Sequence, residues 1–506
     1  MRRLRQLAER TPAGRERYAD LLRALAITMV VLGHWGISVI GYDRARHPTG
    51  HSALGDLPWA WPLTWVAQVM PVFFLVGGYA NAASLNARRH RGGSTTGWLV
   101  DRSARLVRPT TALLVVLAAG AAVASLRGAD PAQVRTVVWF ATIPLWFLVA
   151  YLVVVPLTPP MYALHRRFGL AVPVALVGLV ALGDLGRLLG PAGLATGNYL
   201  FGWLAVHQLG FAWYDTRTPA GPPGDATPAP PARPPETAPP GSPAAPPADT
   251  AAPAARPAAP STDTAAPPGG EARGLRRRRL PLSRRAGVVL LAGGLAALVL
   301  LTVLGPYPVA MLNVPGARLD NAAPPSLALL AVATAQLGLI LLLRAPAGRW
   351  LRRPGPWQAV IAVNAVVLTV FLWHLTAAVL LVGLLDALGV LPTPPVGSAA
   401  WWGWRIPWLL ALATVLAALV AVFGPIEART RRPPGPPRPP ARGRRGRSRT
   451  ALAVAGYAGV VAGLLLNSLT RKTAPEPLGL PAPALAAYLA GAGVLRLLRS
   501  GWGSRG

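Results

Sequence analysis

The chain of 506 residues contains no cysteine, which excludes disulfide bonds, thiolate metal sites and a cysteine nucleophile together. Charged residues are also scarce, at 13%, whereas 53% of the residues are hydrophobic. The mean hydropathy is +0.41. Because a soluble globular protein carries about 25% charged residues, this composition indicates a protein that resides in a bilayer.

Lysine is almost absent, and the formal charge of +32 comes from arginine because Lys472 is the only lysine. Nucleic-acid binding would require a basic stripe on a folded domain. The arginines instead lie mainly in short segments between apolar runs. We therefore expect no nucleic-acid partner.

Several catalytic signatures are missing from the sequence. There is no phosphate-binding P-loop, no HExxH zinc pattern and no nucleophile elbow of a serine hydrolase. These absences give no support to an ATPase, a zincin or a serine hydrolase of those types. We predict no metal site and no permanently bound cofactor.

Long apolar runs dominate what is present. A transmembrane helix needs about 20 apolar residues, and twelve runs approach that length, the sixth being short and containing His207 and Gln208. The first run is too long for a signal-peptide core, so we expect it to be retained as a span. The predicted spans lie near residues 21–41, 62–84, 109–126, 137–157, 169–190, 198–214, 286–309, 325–344, 357–383, 404–426, 451–470 and 479–498.

The arginine distribution predicts the orientation. With a cytoplasmic N-terminus, the inner segments hold 40 of the 50 basic residues and the outer segments hold 9. Such a bias is what positive-inside sorting produces. The sequence thus predicts a multi-pass protein of the cytoplasmic membrane with both termini in the cytoplasm.

The spans fall into two groups that are separated by a polar linker. Residues 215–285 are rich in Pro, Ala and Thr with almost no large apolar side chain, so they cannot bury a core and are predicted to be a disordered cytoplasmic linker. Its terminal run, Arg276 to Arg279, is typical of a contact with anionic membrane lipids. The predicted order is a cytoplasmic segment (1–20), a first membrane part (21–214), the linker (215–285), a second membrane part (286–427), an Arg/Pro-rich cytoplasmic loop (428–450), two extra spans (451–498) and a tail (499–506).

Ionisable residues inside spans are functional by default, and the first predicted span contains Arg23 and His34. Arg23 and His34 are eleven residues apart, which places them on one helical face about 16 Å apart, and Asp20 lies one turn before Arg23. The structural alternative is that Arg23 snorkels to the inner surface and His34 forms a hydrogen bond within the bundle.

Four stretches carry a resemblance to a known family. They are Arg17 to His34, Met70 to Tyr79 (MPVFFLVGGY), Asp101 to Pro109 (DRSARLVRP) and Phe371 to His374 (FLWH). Together and in this order they resemble the acyltransferase-3 family of membrane acyltransferases, over roughly residues 17–427. The chain departs from the family at Gly77–Gly78, where Ser-Gly is usual. The spacing before the proline also leaves the arginine pair open, as Arg102 with Arg105 or Arg105 with Arg108.

The resemblance implies an all-α polytopic bundle, with a ten-helix acyltransferase-like core plus about two extra C-terminal spans. It also implies transfer of an acyl group, commonly acetyl, from cytoplasmic acyl-coenzyme A as co-substrate to a hydroxyl of an extracytoplasmic glycan, a lipid-linked sugar or another small acceptor. Guanidinium groups bind phosphate in bidentate fashion, so Arg23, Arg102, Arg105 and Arg108 are the expected donor-binding residues. Sorting alone would also place arginines at this side.

His34 is the expected catalytic residue, either as a general base or as a covalent acyl carrier. His374 is a possible residue of the acceptor path, or an interfacial residue packed with its neighbours. His207 is expected to be a satisfied interior histidine. Two other functions stay open: a transporter or flippase whose path is lined by Arg23, His34 and His374, and a non-catalytic scaffold.

Overall fold

The structure is a computed structural model that describes residues 15–44, 46–190, 192–217, 280–312, 319–430 and 443–500. Several predicted segments lie mainly outside the described residues. They are the start of the N-terminal segment (1–14), most of the linker with its arginine run (218–279), the centre of the Arg/Pro-rich loop (431–442) and the tail (501–506).

Helices make up most of the described chain. They are α1 (Arg17–Ile37), α2 (Thr64–Ala67), α3 (Met70–His90), α4 (Thr95–Leu126), α5 (Pro131–Thr142), α6 (Leu145–Phe168), α7 (Ala171–Leu189), α8 (Asn198–Arg217), α9 (Arg284–Val299, continued by a π-helical turn, Leu300–Leu304), α10 (Leu327–Trp350), α11 (Pro354–Ala365), α12 (Val367–Ala387), α13 (Ala399–Thr430), α14 (Gly443–Leu469) and α15 (Ala482–Ser500). Short 3-10 helices cover Ala53–Gly55, Pro58–Leu63 and Ala192–Gly197.

Capping side chains explain where several helices begin. Oxygen atoms of Ser94, Asp130, Ser283 and Ser326 accept backbone N–H groups from the first turns of α4, α5, α9 and α10. The first N–H groups of a helix have no partner within the helix, so a short polar side chain at this position satisfies one of them. At the other end of α6, Gly169 adopts a φ of 61°, which glycine tolerates without strain.

Within the described residues, ten helical segments are long and apolar enough to cross a bilayer. Helices also occupy the predicted sixth and twelfth spans, as α8 and α15, but they are not among these ten. Polar side chains such as His207 and Arg496 lower their hydropathy. The architecture confirms the predicted fold class of an all-α, multi-pass membrane bundle.

Three predicted spans are interrupted in the structure. The span predicted at 62–84 is divided at Gln68 and Val69 between α2 and α3. The span predicted at 137–157 is divided between α5 and α6, because Pro144 has no backbone N–H to continue the helix. The span predicted at 357–383 is divided at Val366 into α11 and α12. In all three places the prediction of one continuous helix was wrong.

A β-hairpin follows α1 directly. The sequence analysis predicted no strand in this part of the chain. Strand β1 (Ser38–Tyr42) pairs antiparallel with β2 (Pro48–Ser52), and Ser38 lies opposite Ser52. The hairpin lies at the end of the bundle where α1 ends and brings His51 over that end.

Two glycines permit the close contact between α3 and α8. A Cβ atom added at Gly78 would lie 2.0 Å from the carbonyl oxygen of His207, and one at Gly210 would lie 2.2 Å from that of Leu75. Such close approach of backbones is the usual role of glycine in helix packing within membranes. The second glycine of the Gly77–Gly78 pair is therefore required by packing.

The two C-terminal helices, α14 and α15, form a hairpin that packs on α4 and α6. Arg135 of α5, which is fully buried, joins this hairpin to the rest of the bundle. Its guanidinium donates to Oδ1 and the carbonyl of Asn467, both at 2.8 Å, and to the carbonyls of Thr470 and Gly479, both at 3.1 Å. One buried cation thus satisfies the end of α14 and the connection that follows it.

The two described ends of the predicted linker lie next to each other. Residues up to Arg217 continue α8, and the backbone N–H of Leu280 donates to Oγ1 of Thr216 at 3.1 Å. Leu280 is itself buried. The ordered bundle therefore extends a few residues into the predicted linker at each end.

Candidate active site

The first helix presents Asp20, Arg23 and His34 as a polar face. Asp20 is buried, and its carboxylate accepts hydrogen bonds from Nη1 of Arg23 at 3.1 Å and from Nε of Arg15 at 2.6 Å. Asn364 of α11 donates to the backbone carbonyl of Asp20 at 2.8 Å. One carboxylate therefore holds two guanidinium groups at the start of α1.

At the other end of α1, His34 meets His374 of α12. Nδ1 of His34 lies 2.8 Å from Nε2 of His374, and the two ring planes are within 5° of parallel. His374 is fully buried, whereas His34 is partly exposed. The sequence predicted separate roles for these residues, and the structure brings them into one pair.

A backbone carbonyl determines the tautomers of this pair. Nδ1 of His374 lies 2.7 Å from the carbonyl oxygen of Phe371, which can only accept a hydrogen bond, so Nδ1 carries the proton. Nε2 of neutral His374 is then an acceptor, and Nδ1 of His34 must donate to it. Nε2 of neutral His34 is thereby left with its lone pair, and within the described residues it has no hydrogen-bond partner.

Further hydrogen bonds fix the backbone around the pair. Nε1 of Trp35 donates to the carbonyl of His374 at 3.0 Å, and Oγ of Ser38 donates to the carbonyl of His34 at 2.5 Å. Nη1 of Arg405 donates to the carbonyl of Ser38 at 3.0 Å and to that of Trp35 at 3.4 Å. A cation at the C-terminus of a helix satisfies its last carbonyls, so Arg405 stabilises the end of α1 beside His34.

A cavity of about 420 Å³ lies at the end of the bundle where α1 begins. We call it the arginine cavity, because its charged lining residues are Arg15, Arg23, Arg102, Arg105 and Glu427. Apolar residues, among them Ile27 and Phe371, line its deeper part. The cavity thus combines a cationic entrance with an apolar interior that extends to within one helical turn of His374.

The structure separates the three arginines of α4. Arg102 and Arg105 line the arginine cavity, and Arg102 donates to the hydroxyl of Tyr151 at 2.9 Å. Arg108 is not among the lining residues. Of the two pairs that the sequence left open, only Arg102 with Arg105 therefore faces this cavity.

Glu427 of α13 explains the break between α11 and α12. Its carboxylate accepts the N–H groups of Leu368 at 3.4 Å and Thr369 at 2.8 Å, and the hydroxyl of Thr369 at 2.9 Å. An exposed helix start inside a bilayer needs such a partner. Glu427 thus fixes the start of the helix that carries His374.

A second cavity, of about 320 Å³, lies at the opposite end of the bundle. We call it the tryptophan cavity, after Trp35 and Trp408 in its lining. Polar side chains also line it, namely Ser38, Thr49, His51, Gln133, Thr136 and Asp386. The hydroxyl of Tyr42 donates to Oδ1 of Asp386 at 2.8 Å, and this hydrogen bond and the carboxylate charge raise the pKa of Tyr42.

The histidine pair lies between the two cavities. On α12, Phe371 lines the arginine cavity and Leu375 lines the tryptophan cavity, with His374 between them. On α1, Ile27 and Trp35 stand in the same relation to His34. Ligands in the two cavities would therefore lie on opposite sides of the pair, and neither histidine is itself among the lining residues.

His207, Gln68 and Gln336 lie within the packing of the bundle. His207 is fully buried and its Nε2 lies 3.1 Å from the amide nitrogen of Asn81. Gln68 donates to the carbonyl of Met311 at 2.9 Å, and Gln336 donates to the carbonyl of Gln68 at 2.8 Å. These are interhelical hydrogen bonds of the bundle. Nδ1 of His207 has no hydrogen-bond partner among the described residues, so the expectation of a satisfied interior histidine is met at Nε2 only.

Several lining residues were not singled out from the sequence. Glu427 and Asp386 lie near the ends of apolar helices. Acidic residues are rare at such positions in this chain, so their presence there could have marked both residues from the sequence. His51 lies between apolar runs in the sequence, and the β-hairpin brings it to the tryptophan cavity. Tyr151 lies in an apolar helix with no local pattern that marks it.

Comparison with known proteins identifies a family for the first membrane part. Residues 16–219 match the family model for an acyltransferase domain of the acyltransferase-3 type. The match includes α1, α3, α4 and α6, which provide His34 and most of the lining of the arginine cavity, but not α12. No curated protein and no solved structure matches the chain. Residues 16–219 therefore form an acyltransferase domain of the acyltransferase-3 family.

Proposed function

We propose that this membrane acyltransferase transfers an acyl group, commonly acetyl, from acyl-coenzyme A in the arginine cavity to a hydroxyl of an acceptor in the tryptophan cavity. The observation that carries the proposal is the His34–His374 pair between two cavities of different charge. Each substrate has its own cavity, and on both α1 and α12 the histidine lies between the residues that line the two cavities.

The charge of the arginine cavity supports coenzyme A as the donor. Coenzyme A carries several phosphate charges, and Arg23, Arg102 and Arg105 provide planar donors that match phosphate oxygens. The apolar interior near Ile27 and Phe371 suits the uncharged pantetheine arm. Arg23 and His34 are separated by about 16 Å along α1, which an extended arm can span.

The tautomers derived above support general-base catalysis. Nε2 of His34 takes the proton of the acceptor hydroxyl while its oxygen attacks the thioester carbonyl. The C–O bond forms, the C–S bond breaks, and the leaving thiolate receives that proton from the imidazolium. Protons and charge balance over the cycle, so no cofactor is consumed.

His374 serves this reaction as a positioning residue. It accepts the Nδ1 hydrogen of His34 and so keeps Nε2 available as the base. The corresponding role in serine proteases belongs to a carboxylate. A neutral histidine avoids placing an unpaired charge in the membrane interior.

The arginine cavity opens to the cytoplasm in this proposal. The segments on that side hold 40 of the 50 basic residues, in agreement with positive-inside sorting. Reporter fusions after residues 20, 250 and 506 should all report the cytoplasmic side. A reporter at residue 250 that lies on the outer side of the cytoplasmic membrane would contradict this orientation.

The acceptor belongs to one of three classes: an extracytoplasmic glycan, a lipid-linked sugar or another small hydroxyl compound. A transporter or flippase is the competing function. The direct contact of His34 with His374 favours acyl transfer, because a translocation path needs an opening where these rings meet.

The test is acetyl-coenzyme A turnover by the purified full-length protein in nanodiscs, with membrane glycans as acceptors. His34→Ala should reduce transfer by about 10²-fold or more while leaving the protein folded and inserted. His207→Ala provides the control, since His207 is a buried span histidine that contacts Asn81 and not the His34–His374 pair. Near wild-type transfer by His34→Ala would overturn the proposal.

A further inference from the structure

One stripe of α12 connects the histidine pair with the far end of the tryptophan cavity. Its lining residues are Leu375, Ala378, Val379, Val382, Gly383 and Asp386. They repeat every three or four residues, as one helical face does. From Leu375 to Asp386 this face extends about 16 Å, and it is apolar until Asp386.

The residues that face this stripe are also mainly apolar. Val137 and Phe140 of α5 and Leu412 of α13 complete the wall between His374 and the polar rim. A sugar ring would leave its hydroxyl groups without partners along such a wall, which is costly when water is excluded. The middle of the cavity therefore favours an apolar segment of the acceptor.

The rim of the tryptophan cavity, where Asp386 lies, is acidic, whereas the arginine cavity is mainly cationic. Among the described residues that line the tryptophan cavity there is no arginine or lysine, and Asp386 is the one carboxylate. Tyr42 donates to Oδ1 of Asp386, and within the described residues Oδ2 has no hydrogen-bond partner. This rim suits a cation or a hydrogen-bond donor and disfavours an anion.

We propose that the acceptor is an extended amphipathic alcohol with a hydroxyl at Nε2 of His34, an apolar stem along α12 and a cationic or hydrogen-bond-donating end at Asp386. This inference rests on the proposed acyl transfer and narrows its acceptor class. It assigns Asp386 as a specificity-determining residue. The length of the stripe sets the length of the apolar stem, because about a dozen carbon–carbon bonds span about 16 Å.

The experiment uses the purified full-length protein in nanodiscs with acetyl-coenzyme A and three acceptor probes. Two are primary alcohols of about a dozen carbons with opposite ends, one a trimethylammonium and one a sulfonate. The third is methyl glucoside. We expect kcat/KM for the trimethylammonium alcohol to exceed that of each other probe by about tenfold or more, which corresponds to about 1.4 kcal/mol.

Asp386→Asn should remove the preference for the cationic end, because the amide keeps the shape of the side chain and loses its charge. Asp43→Asn is the matched control, since Asp43 is an exposed carboxylate on the same hairpin as Tyr42 and does not line the cavity.

A second variant, Gly383→Leu, tests the position of the apolar stem. A Cβ at Gly383 meets no atom within 4 Å, so leucine fills space without a clash and should shorten the preferred alcohol.

The outcomes separate this inference from the proposed function. Transfer to methyl glucoside that depends on His34 and equals or exceeds transfer to the trimethylammonium alcohol overturns the amphipathic acceptor and leaves acyl transfer standing. A preference unchanged in Asp386→Asn overturns the role of Asp386. Absence of any turnover of acetyl-coenzyme A that depends on His34 contradicts the proposed function itself.

Discussion

Nδ1 of His34 and Nε2 of His374 lie 2.8 Å apart, although the two residues are 340 positions apart in the chain. The hydrogen bond joins α1, which belongs to the matched acyltransferase domain, to α12, which follows the linker. The carbonyl of Phe371 sets the direction of the bond by accepting the Nδ1 hydrogen of His374. The proposed base at His34 therefore depends on a helix from the second membrane part.

This dependence predicts different results for two substitutions of His374. His374→Phe fills a similar volume and leaves the Nδ1 hydrogen of His34 without an acceptor, so kcat should fall by about 10²-fold or more with little change in KM for the donor. His374→Gln places an amide oxygen near the position of Nε2 and should restore part of kcat. Steady-state kinetics and pH–rate profiles of both variants provide the measurement. Equal losses in both variants, with unchanged pH profiles, would indicate a purely structural role.

Donor binding should depend on the arginines that line the cavity. Arg105→Ala is expected to raise the KM for acetyl-coenzyme A by about tenfold, as for the loss of one hydrogen bond to a charged group. Arg89→Ala is the control, because Arg89 is exposed at the same end of the bundle and does not line the arginine cavity. Arg108→Ala should resemble this control. Equal effects in all three variants would mean that the arginines act only as a general positive field.

Asp20 should act on the donor through the arginines that it holds. Its carboxylate contacts both Arg15 and Arg23, so Asp20→Asn loses the charge that orients them. We expect the KM for acetyl-coenzyme A to rise by about tenfold with a smaller change in kcat. Asp215→Asn is the control, since Asp215 interacts with His165 and Tyr162 outside the cavity. A larger effect of Asp215→Asn on this KM would argue against the positioning role.

Local sequence patterns were sufficient for much of this fold. Apolar runs of about 20 residues predict spans without knowledge of packing, and a helix is present at each of the twelve predicted positions. The Asp20–Arg23–His34 face was also predictable, because it needs only the helical period. The interruption at Pro144 is less visible in the sequence, since prolines are common within the helices of this chain. The interruption at Val366 has no proline to mark it.

The contacts between distant segments were not predictable in the same way. Glu427 satisfies N–H groups of α12 across about sixty residues, and no local period relates the two. The β-hairpin after α1 is short and partly polar, so hydropathy gave no sign that it places His51 above the tryptophan cavity. The pairing of His34 with His374 likewise arises from helix packing, which one sequence does not specify.

The buried Arg135 makes a prediction about stability. Arg135→Met keeps much of the volume and removes the donors to Asn467, Thr470 and Gly479, so the destabilisation should exceed about 2 kcal/mol. Thermal unfolding of the purified protein in detergent measures the effect. Arg127→Met, at an exposed position in the loop between α4 and α5, is the control and should unfold close to the wild type. An unchanged midpoint for Arg135→Met would show that the C-terminal hairpin docks without this residue.

The positions of the two cavities also predict whether the kinetic mechanism is sequential. Because the arginine and tryptophan cavities approach the His34–His374 pair from opposite sides, donor and acceptor can be bound together, and the acyl group can pass directly between them. Double-reciprocal plots at several acceptor concentrations should therefore intersect, as for a sequential mechanism. Rapid quenching with labelled acetyl-coenzyme A and no acceptor should yield no acylated protein. Parallel lines together with an acyl adduct that disappears in His34→Ala would instead identify His34 as a covalent carrier.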